Sequence, residues 1–195
     1  MTINIETVSG RGVMPWLDAL AALRMLVFRE FPYLYDGSLA YEREYLTEYA
    51  ASEHGIIVLA LDGDRVVGCS TGLPLLDADP AFQKPFEQAG YDLNAVFYFG
   101  ESVLDQAWRG HGIGHQFFDR REAHARRLGF DTTTFCAVER PADHPLRPSR
   151  YRPLDAFWQR RGYQRRPELS TRFAWKDVDE AQETDKLMRF WLRTA

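Results

Sequence analysis

Residues 96–114 read VFYFGESVLDQAWRGHGIG. From Val96 to Leu104 the stretch is dominated by apolar, β-branched and aromatic side chains, the composition of a buried strand. Arg109-Gly110-His111-Gly112-Ile113-Gly114 then alternates three glycines and leads into Ile113–Leu128, which reads as an amphipathic helix stopped by Gly129. Between a strand and a helix, backbone N–H groups and the helix N-terminus converge on phosphate oxygens. Glycine lets the chain approach an anion in dihedrals closed to other residues. An ordinary tight turn requires fewer glycines than this one carries. Two phosphate loops are excluded by spacing. A dinucleotide fingerprint needs G-x-G-x-x-G after the first strand of a βαβ unit, and a Walker loop ends in Gly-Lys-Ser/Thr, whereas Gly114 is followed by His115.

Upstream, Ile3–Val8 alternates as a strand, and Pro15 opens a helix whose inner face is Trp16, Leu20, Leu23 and Val27. Phe31–Gly37 breaks that helix, and a second follows over Leu39–Ser52. Ile56–Leu61 and Val66–Thr71 form a hairpin about Asp62-Gly63-Asp64-Arg65. The 21 residues from Pro74 to Asn94, with Pro80 and Pro85 inside, are long for a strand connection and predict a lid or binding element. Downstream come a strand at Thr132–Val138, a basic proline-broken loop at 139–152 and a helix at Leu154–Arg161 stopped by Gly162. Strands near Glu168–Val178 and Leu187–Leu192 close the chain. No repeat or linker interrupts residues 1–195, which read as a single mixed α/β domain.

Composition agrees. A chain of 195 residues, 45% hydrophobic and 14% aromatic, is long enough for a full core and too aromatic to be disordered. A formal net charge of −4 gives no global basic field for nucleic acid. Cys69 and Cys136 sit in apolar runs, which argues against a disulfide framework and for a reducing, cytoplasmic setting. The N-terminus has no signal-peptide pattern, and no apolar run reaches the ~20 residues of a membrane span. The five histidines show neither HExxH nor Cys/His spacing, so no metal is expected.

The strand YFGESVL, Arg109-x-x-Gly112-x-Gly114 and the helix after them resemble the coenzyme A loop of the GNAT acyltransferases. Phe157-Trp158-Gln159-Arg160-Arg161-Gly162-Tyr163 is similar to that family's aromatic pair and Gly-aromatic segment. The helix pair, hairpin and late strands follow the family's order. The resemblance implies a central, mostly antiparallel sheet of about seven strands with four flanking helices, in the order β-α-α-β-β-β-α-β-α-β-β. It implies an acetyl-CoA-dependent N-acetyltransferase acting on a primary amine of a small molecule by direct attack. A catalytically silent acetyl-CoA sensor and a protein or peptide N-acetyltransferase are the alternatives. Pairing of identical subunits is common in the family and is left open here.

By the same resemblance the coenzyme's pyrophosphate lies on the N–H groups from Gly110, His111, Gly112, Ile113 and Gly114 to His115, with Arg109 at the entry and Trp158 nearby. The pantetheine arm pairs along Val103, Leu104 and Asp105, and the Leu104 N–H polarises the thioester carbonyl. One or two of Arg120, Arg121, Arg126 and Arg127 meet the 3′-phosphate, or else form a solvated helix face with Asp119 and Glu122. Glu101, preceded by Phe97, Tyr98 and Phe99, is the candidate base, with an apolar setting to suit it. Where many members carry a Tyr that protonates the leaving thiolate, this chain has Trp158, whose indole N–H is no usable acid. Tyr151 or Tyr163 then substitutes, or the thiolate leaves unaided, since a thiol of pKa about 8.5 is a fair leaving group. The acceptor pocket falls to Phe31–Asp36, 74–94 and 139–152, with Tyr33, Tyr35, Asp36, Tyr98 and Glu101 as contacts. A cationic loop with His144, Arg147, Arg150 and Arg152 suits an acidic acceptor, or covers the coenzyme phosphates. Tyr and Phe rings with Asp36 and Glu101 suit an amine-bearing one. Both readings stand at the level of sequence.

Overall fold

The computed structural model describes residues 3–194, the side chain of Glu48 excepted. In chain order the elements are β1 (Asn4–Val8), α1 (Leu17–Phe28), α2 (Leu39–Ala51), β2 (Ile56–Asp62), β3 (Arg65–Pro74), α3 (Pro80–Gln88), β4 (Val96–Tyr98) and β5 (Ser102–Leu104). They continue with α4 (Ile113–Arg127), β6 (Thr132–Val138), α5 (Asp155–Arg160), β7 (Gln164–Trp175) and β8 (Thr184–Thr194). The described sheet has eight strands in the order β1-β2-β3-β4-β6-β8-β7, with β5 paired to β3 beside that path. Every pairing is antiparallel except β4 with β6. The fold class is as expected, with one strand and one helix more than the sequence suggests.

Strand alternation divides the interior between the two faces of the sheet. Ile57, Leu59, Tyr98 and Phe190 join Leu20, Leu46, Phe82 and Phe86 in one cluster. Ile56, Val58, Phe97, Phe99 and Trp191 join Ile113, Phe117 and Phe118 in the other. Helices α1, α2 and α3 thus cover one face and α4 the other.

The extra helix lies in the long connection. Asp79 caps α3 by accepting from the Ala81 N–H at 2.7 Å, with Pro80 at the first helical position. Phe82 stacks on Tyr98 and Phe173 at 4.8 and 4.9 Å, and Phe86 meets Phe190 edge-on at 5.0 Å. The 74–94 segment is therefore a core-packed helix rather than a lid. Its apolar residues at Phe82 and Phe86 are one helical turn apart, and burying them anchors the segment to the sheet.

The extra strand comes from a break in Val96–Leu104. Phe99 N–H donates to Thr134 O at 2.8 Å, the last bond that ties this stretch to β6. Gly100 N–H donates to Thr71 O, and Thr71 N–H donates to Glu101 O, both at 3.1 Å, so two residues oppose one. That is a β-bulge. Beyond it β5 stays with β3 (Ser70↔Ser102, Gly68↔Leu104) and parts from β6. Gly100 is needed because a Cβ there would overlap the Tyr49 hydroxyl and Thr71 Oγ1. A cleft opens where β5 and β6 separate.

Candidate active site

The cleft has a volume of about 1280 Å3 and runs between the bulge, the start of α4, β6 and the 139–153 loop. One wall is β5. Asp105 N–H donates to Val67 O at 2.9 Å and Glu101 O accepts from Thr71, so residues 101, 103 and 105 turn their main chain toward β3. Ser102 and Leu104 therefore turn theirs away from β3. Both line the cleft, and Leu104 O accepts from Arg109 Nε at 3.1 Å.

At one end stands the glycine loop. Gly110 and Gly112 have φ of 83° and 79°, in the left-handed region where a side chain is strained. A Cβ built on either meets nothing within 4 Å, so it is this backbone conformation, rather than crowding, that calls for glycine. Gly112 caps α4, accepting from His115 N–H at 3.0 Å, while the N–H groups of the first helical residues, Ile113 and Gly114, have no carbonyl one turn back to bond. An open, left-handed turn on the N-terminus of a helix of 15 residues has the backbone geometry that can receive an anion. Arg109 closes its entry with an ion pair to Glu30 at 2.8 Å.

Beside the bulge lies a buried polar network. Arg24 NH1 is 2.8 Å from Glu101 Oε1, and Arg24 Nε also bonds Glu42. Glu101 Oε2 accepts from Thr71 Oγ1 at 2.9 Å and from the Tyr45 hydroxyl at 3.1 Å. The guanidinium of Arg24 sits 4.1 Å from the Tyr45 ring centroid and 5.0 Å from that of Phe28. Burial pushes the Tyr45 and Tyr49 hydroxyls upward, with the Glu101 charge adding to the shift. Glu101 thus reaches the cleft inside a polar network, and the apolar setting expected for it is not what surrounds it. Phe97 and Phe99 turn to the α4 face and Tyr98 to the other.

Ten of the expected site residues share the cleft wall: Tyr33, Glu101, Leu104, Arg109, Gly110, Gly112, Gly114, His115, Tyr151 and Trp158. Seven do not. Val103 is fully buried, and Asp105 pairs with Arg65 at 2.8 Å. Ile113 is buried at the start of α4, and the exposed His111 ring bonds Trp108 O at 3.2 Å. The Tyr35 hydroxyl turns to Glu42, and Asp36 pairs with Lys176 at 2.6 Å and Arg29 at 2.8 Å. Tyr98 is stacked on Phe82, with its hydroxyl 3.4 Å from Cys136 Sγ. Tyr163 is also removed as a thiolate acid: it is buried, bonded to Thr133 at 2.9 Å and donating to Glu122 at 3.2 Å. Tyr151 lines the cleft; Trp158 packs between Phe135 and Trp191 at 5.0 and 5.1 Å.

Three arginines take parts the sequence reading did not assign. Arg24 is the lone charge within the apolar run from Leu20 to Phe28, which is its only sequence signal. Arg121 falls on the buried stripe Ile113, Phe117, Phe118, Ala125 and is 1% exposed, so it is neither a surface cation nor a phosphate ligand in waiting. It donates to Thr71 O at 3.1 Å, Glu101 O at 3.0 Å and Ser102 Oγ at 2.8 Å, bolting the bulge to α4. Burial pulls its guanidinium down to about 10, which leaves it charged at neutral pH. Arg140 holds Asp177 at 2.7 and 2.9 Å and the carbonyls of Pro32 and Tyr33 at 2.7 Å, fastening the α1–α2 turn to the far end of the cleft.

The family model described as the acetyltransferase (GNAT) family matches residues 20–163. No curated protein matches the sequence significantly. Among solved structures, the N-acetyltransferase of Staphylococcus aureus Mu50 aligns at 14% identity and a TM-score of 0.64, covering 100% of this chain and 99% of that one. The ribosomal-protein-alanine N-acetyltransferase of Brucella melitensis aligns at 13% and 0.65, covering 98% and 99%. An acetyltransferase of Streptococcus agalactiae 2603 aligns at 16% and 0.62, covering 99% and 98%. At these identities the likeness to each is one of fold.

Proposed function

This chain belongs to the acetyltransferase (GNAT) family, and we propose that it transfers the acetyl group of acetyl-CoA to a primary amine of a small molecule by direct attack. The observation that carries the reading is the continuity of one cleft: a glycine-rich helix start at one end and, along the wall, the main chain of Ser102 and Leu104 turned away from β3. Those groups fit acetyl-CoA. The N–H groups at 110–114 would hold its pyrophosphate, and the strand wall at Ser102 would pair with an amide of the pantetheine arm, with the Leu104 N–H left for the thioester. When bound, acetyl-CoA supplies an acyl group already activated as a thioester.

The remaining work falls to the chain. The Leu104 N–H, turned away from β3 on the cleft wall, is the proposed donor to the thioester oxygen. An alkyl amine of pKa near ~10 must lose a proton before it attacks. Glu101 is the proposed base, and since both its oxygens are engaged and it is only 6% exposed, it takes that proton through a water. As the C–N bond forms and the C–S bond breaks, the thiolate takes a proton, and Tyr151 is the hydroxyl proposed to give it. Residues 1–195 are proposed to act as one domain in the cytoplasm; the free, buried Cys69 and Cys136 accord with a reducing compartment.

Thermal unfolding with and without acetyl-CoA tests the reading on wild type and on Gly112→Trp, which fills the loop. Ligand at 100 times its dissociation constant stabilises the fold by about 2.7 kcal/mol. A shift in wild type that the variant loses supports the site. No shift in wild type removes the coenzyme and the reaction together. Binding without turnover across an amine panel would instead favour a silent sensor.

A further inference from the structure

We infer that the acceptor is an amine that also carries a carboxylate or similar anion, received by Arg147 at the aromatic end of the cleft. This deepens the acetyltransferase reading and rests on it. The sequence leaves open whether acids or cations frame the acceptor, and the positions of the charges decide it.

Eight arginines and four carboxylates line the cleft. Five of the arginines are satisfied in place: Arg109 by Glu30, Arg140 by Asp177, Arg165 and Arg189 by Glu139, and Arg121 by main-chain carbonyls. Among the described residues no carboxylate pairs with Arg147, Arg150 or Arg152. On the acidic side Glu101 is held by Arg24, and Asp36 lies outside the cleft with two cations of its own. Only Asp155, exposed at the start of α5, lines the cleft without an ion pair among the described residues. Three unpaired cations face one unpaired carboxylate, which repels a polycationic acceptor and attracts an anionic one.

Arg147 differs from Arg150 and Arg152, which are exposed. It is half-buried, 5.2 Å from the Tyr151 ring centroid and 6.0 Å from that of Phe31. These rings themselves meet edge-on at 4.7 Å, joining the 139–152 loop to the α1–α2 turn. Stacking against aromatic rings holds a guanidinium while leaving its N–H edge free for a carboxylate. Phe28, Phe31, Tyr33 and Val138 line the same end, so the anion would come on an apolar body. The pyrophosphate already has its cradle at the glycine loop, which leaves this cation for the acceptor.

The test measures acetyl transfer to matched pairs of amines, aliphatic and aromatic amino acids against the same amines lacking the carboxyl, in wild type, Arg147→Met and Arg147→Lys. The expected result is preference for the carboxylate-bearing partner. Arg147→Met should raise its KM roughly 10- to 100-fold, with partial rescue by lysine and an unchanged acetyl-CoA dissociation constant. Preference for the decarboxylated amines overturns the assignment. So does an Arg147→Met effect on the ratio of CoA to 3′-dephospho-CoA affinity, which would give the arginine to the coenzyme. If no amine reacts while acetyl-CoA still shifts the unfolding temperature, the acceptor assignment fails and the coenzyme site stands. If acetyl-CoA itself does not bind, the reading beneath it fails.

Discussion

Arg24 on α1 and Glu101 in the bulge form an ion pair at 2.8 Å with side chains 7% and 3% exposed. The pair shares its cation with Glu42, whose side chain is fully buried. One guanidinium therefore answers two buried carboxylates, and it does so at the point where the sheet divides.

Removing that cation leaves both buried carboxylates without an opposite charge, held only by hydroxyl groups. Arg24→Met should lower stability by about 3–5 kcal/mol, the cost of breaking a buried pair from one side. Urea unfolding measures it; a loss below about 1 kcal/mol would mean that water reaches the carboxylates.

Glu101→Gln keeps the shape and leaves Arg24 with Glu42. If Glu101 is the base, kcat should fall about 100-fold or more while the acetyl-CoA dissociation constant stays put. Unchanged turnover would make the network purely structural.

The two tyrosines once equivalent in sequence separate cleanly. Tyr151→Phe should lower kcat, and thiol release at saturating acetyl-CoA reads it. Tyr163→Phe should leave kcat alone and cost about 1 kcal/mol of stability, through its lost bonds to Thr133 and Glu122.

Arg121→Met removes the bolt between α4 and the bulge. With three charge-assisted bonds lost at once, to the carbonyls of Thr71 and Glu101 and to the Ser102 hydroxyl, stability should drop by about 3 kcal/mol. Activity per folded molecule should fall as well, since the direction of the Leu104 N–H depends on the bulge.

His124 supplies a pH dependence. Its Nε2 bonds His54 O at 2.9 Å and its Nδ1 faces Arg127 NH2 at 2.7 Å, an arrangement that fits the neutral ring. Burial, with the Arg127 charge adding to it, holds its pKa below the ordinary 6.5. The unfolded state then binds the proton more readily, so this contribution is complete above pH 6.5 and is lost as pH falls through the folded value. His124→Gln should flatten that acid slope in unfolding measured from pH 7 to pH 5.

The glycine loop, the Asp62–Arg65 turn, α4 and β6 were legible in the chain because each depends on neighbours in sequence. Positive φ at Gly110 and Gly112, or a glycine after a helix, is a local demand. The division of Val96–Leu104 was not legible. Its composition favours one continuous strand, and the break arises because β4 pairs with both β3 and β6 while β5 keeps only β3, with Gly100 fitted under Tyr49 from another helix. Charge followed the same line. Sequence marks an arginine or a carboxylate, but only packing decides that Arg121 and Arg24 lie inside, that Asp36 faces away, and that Arg147 stands unpaired against Phe31 and Tyr151. Local rules set backbone conformation within a turn or two. Partners for buried charges are chosen across the whole fold, because the cost of desolvation is met only by whichever opposite charge or carbonyl the packing brings within about 3 Å.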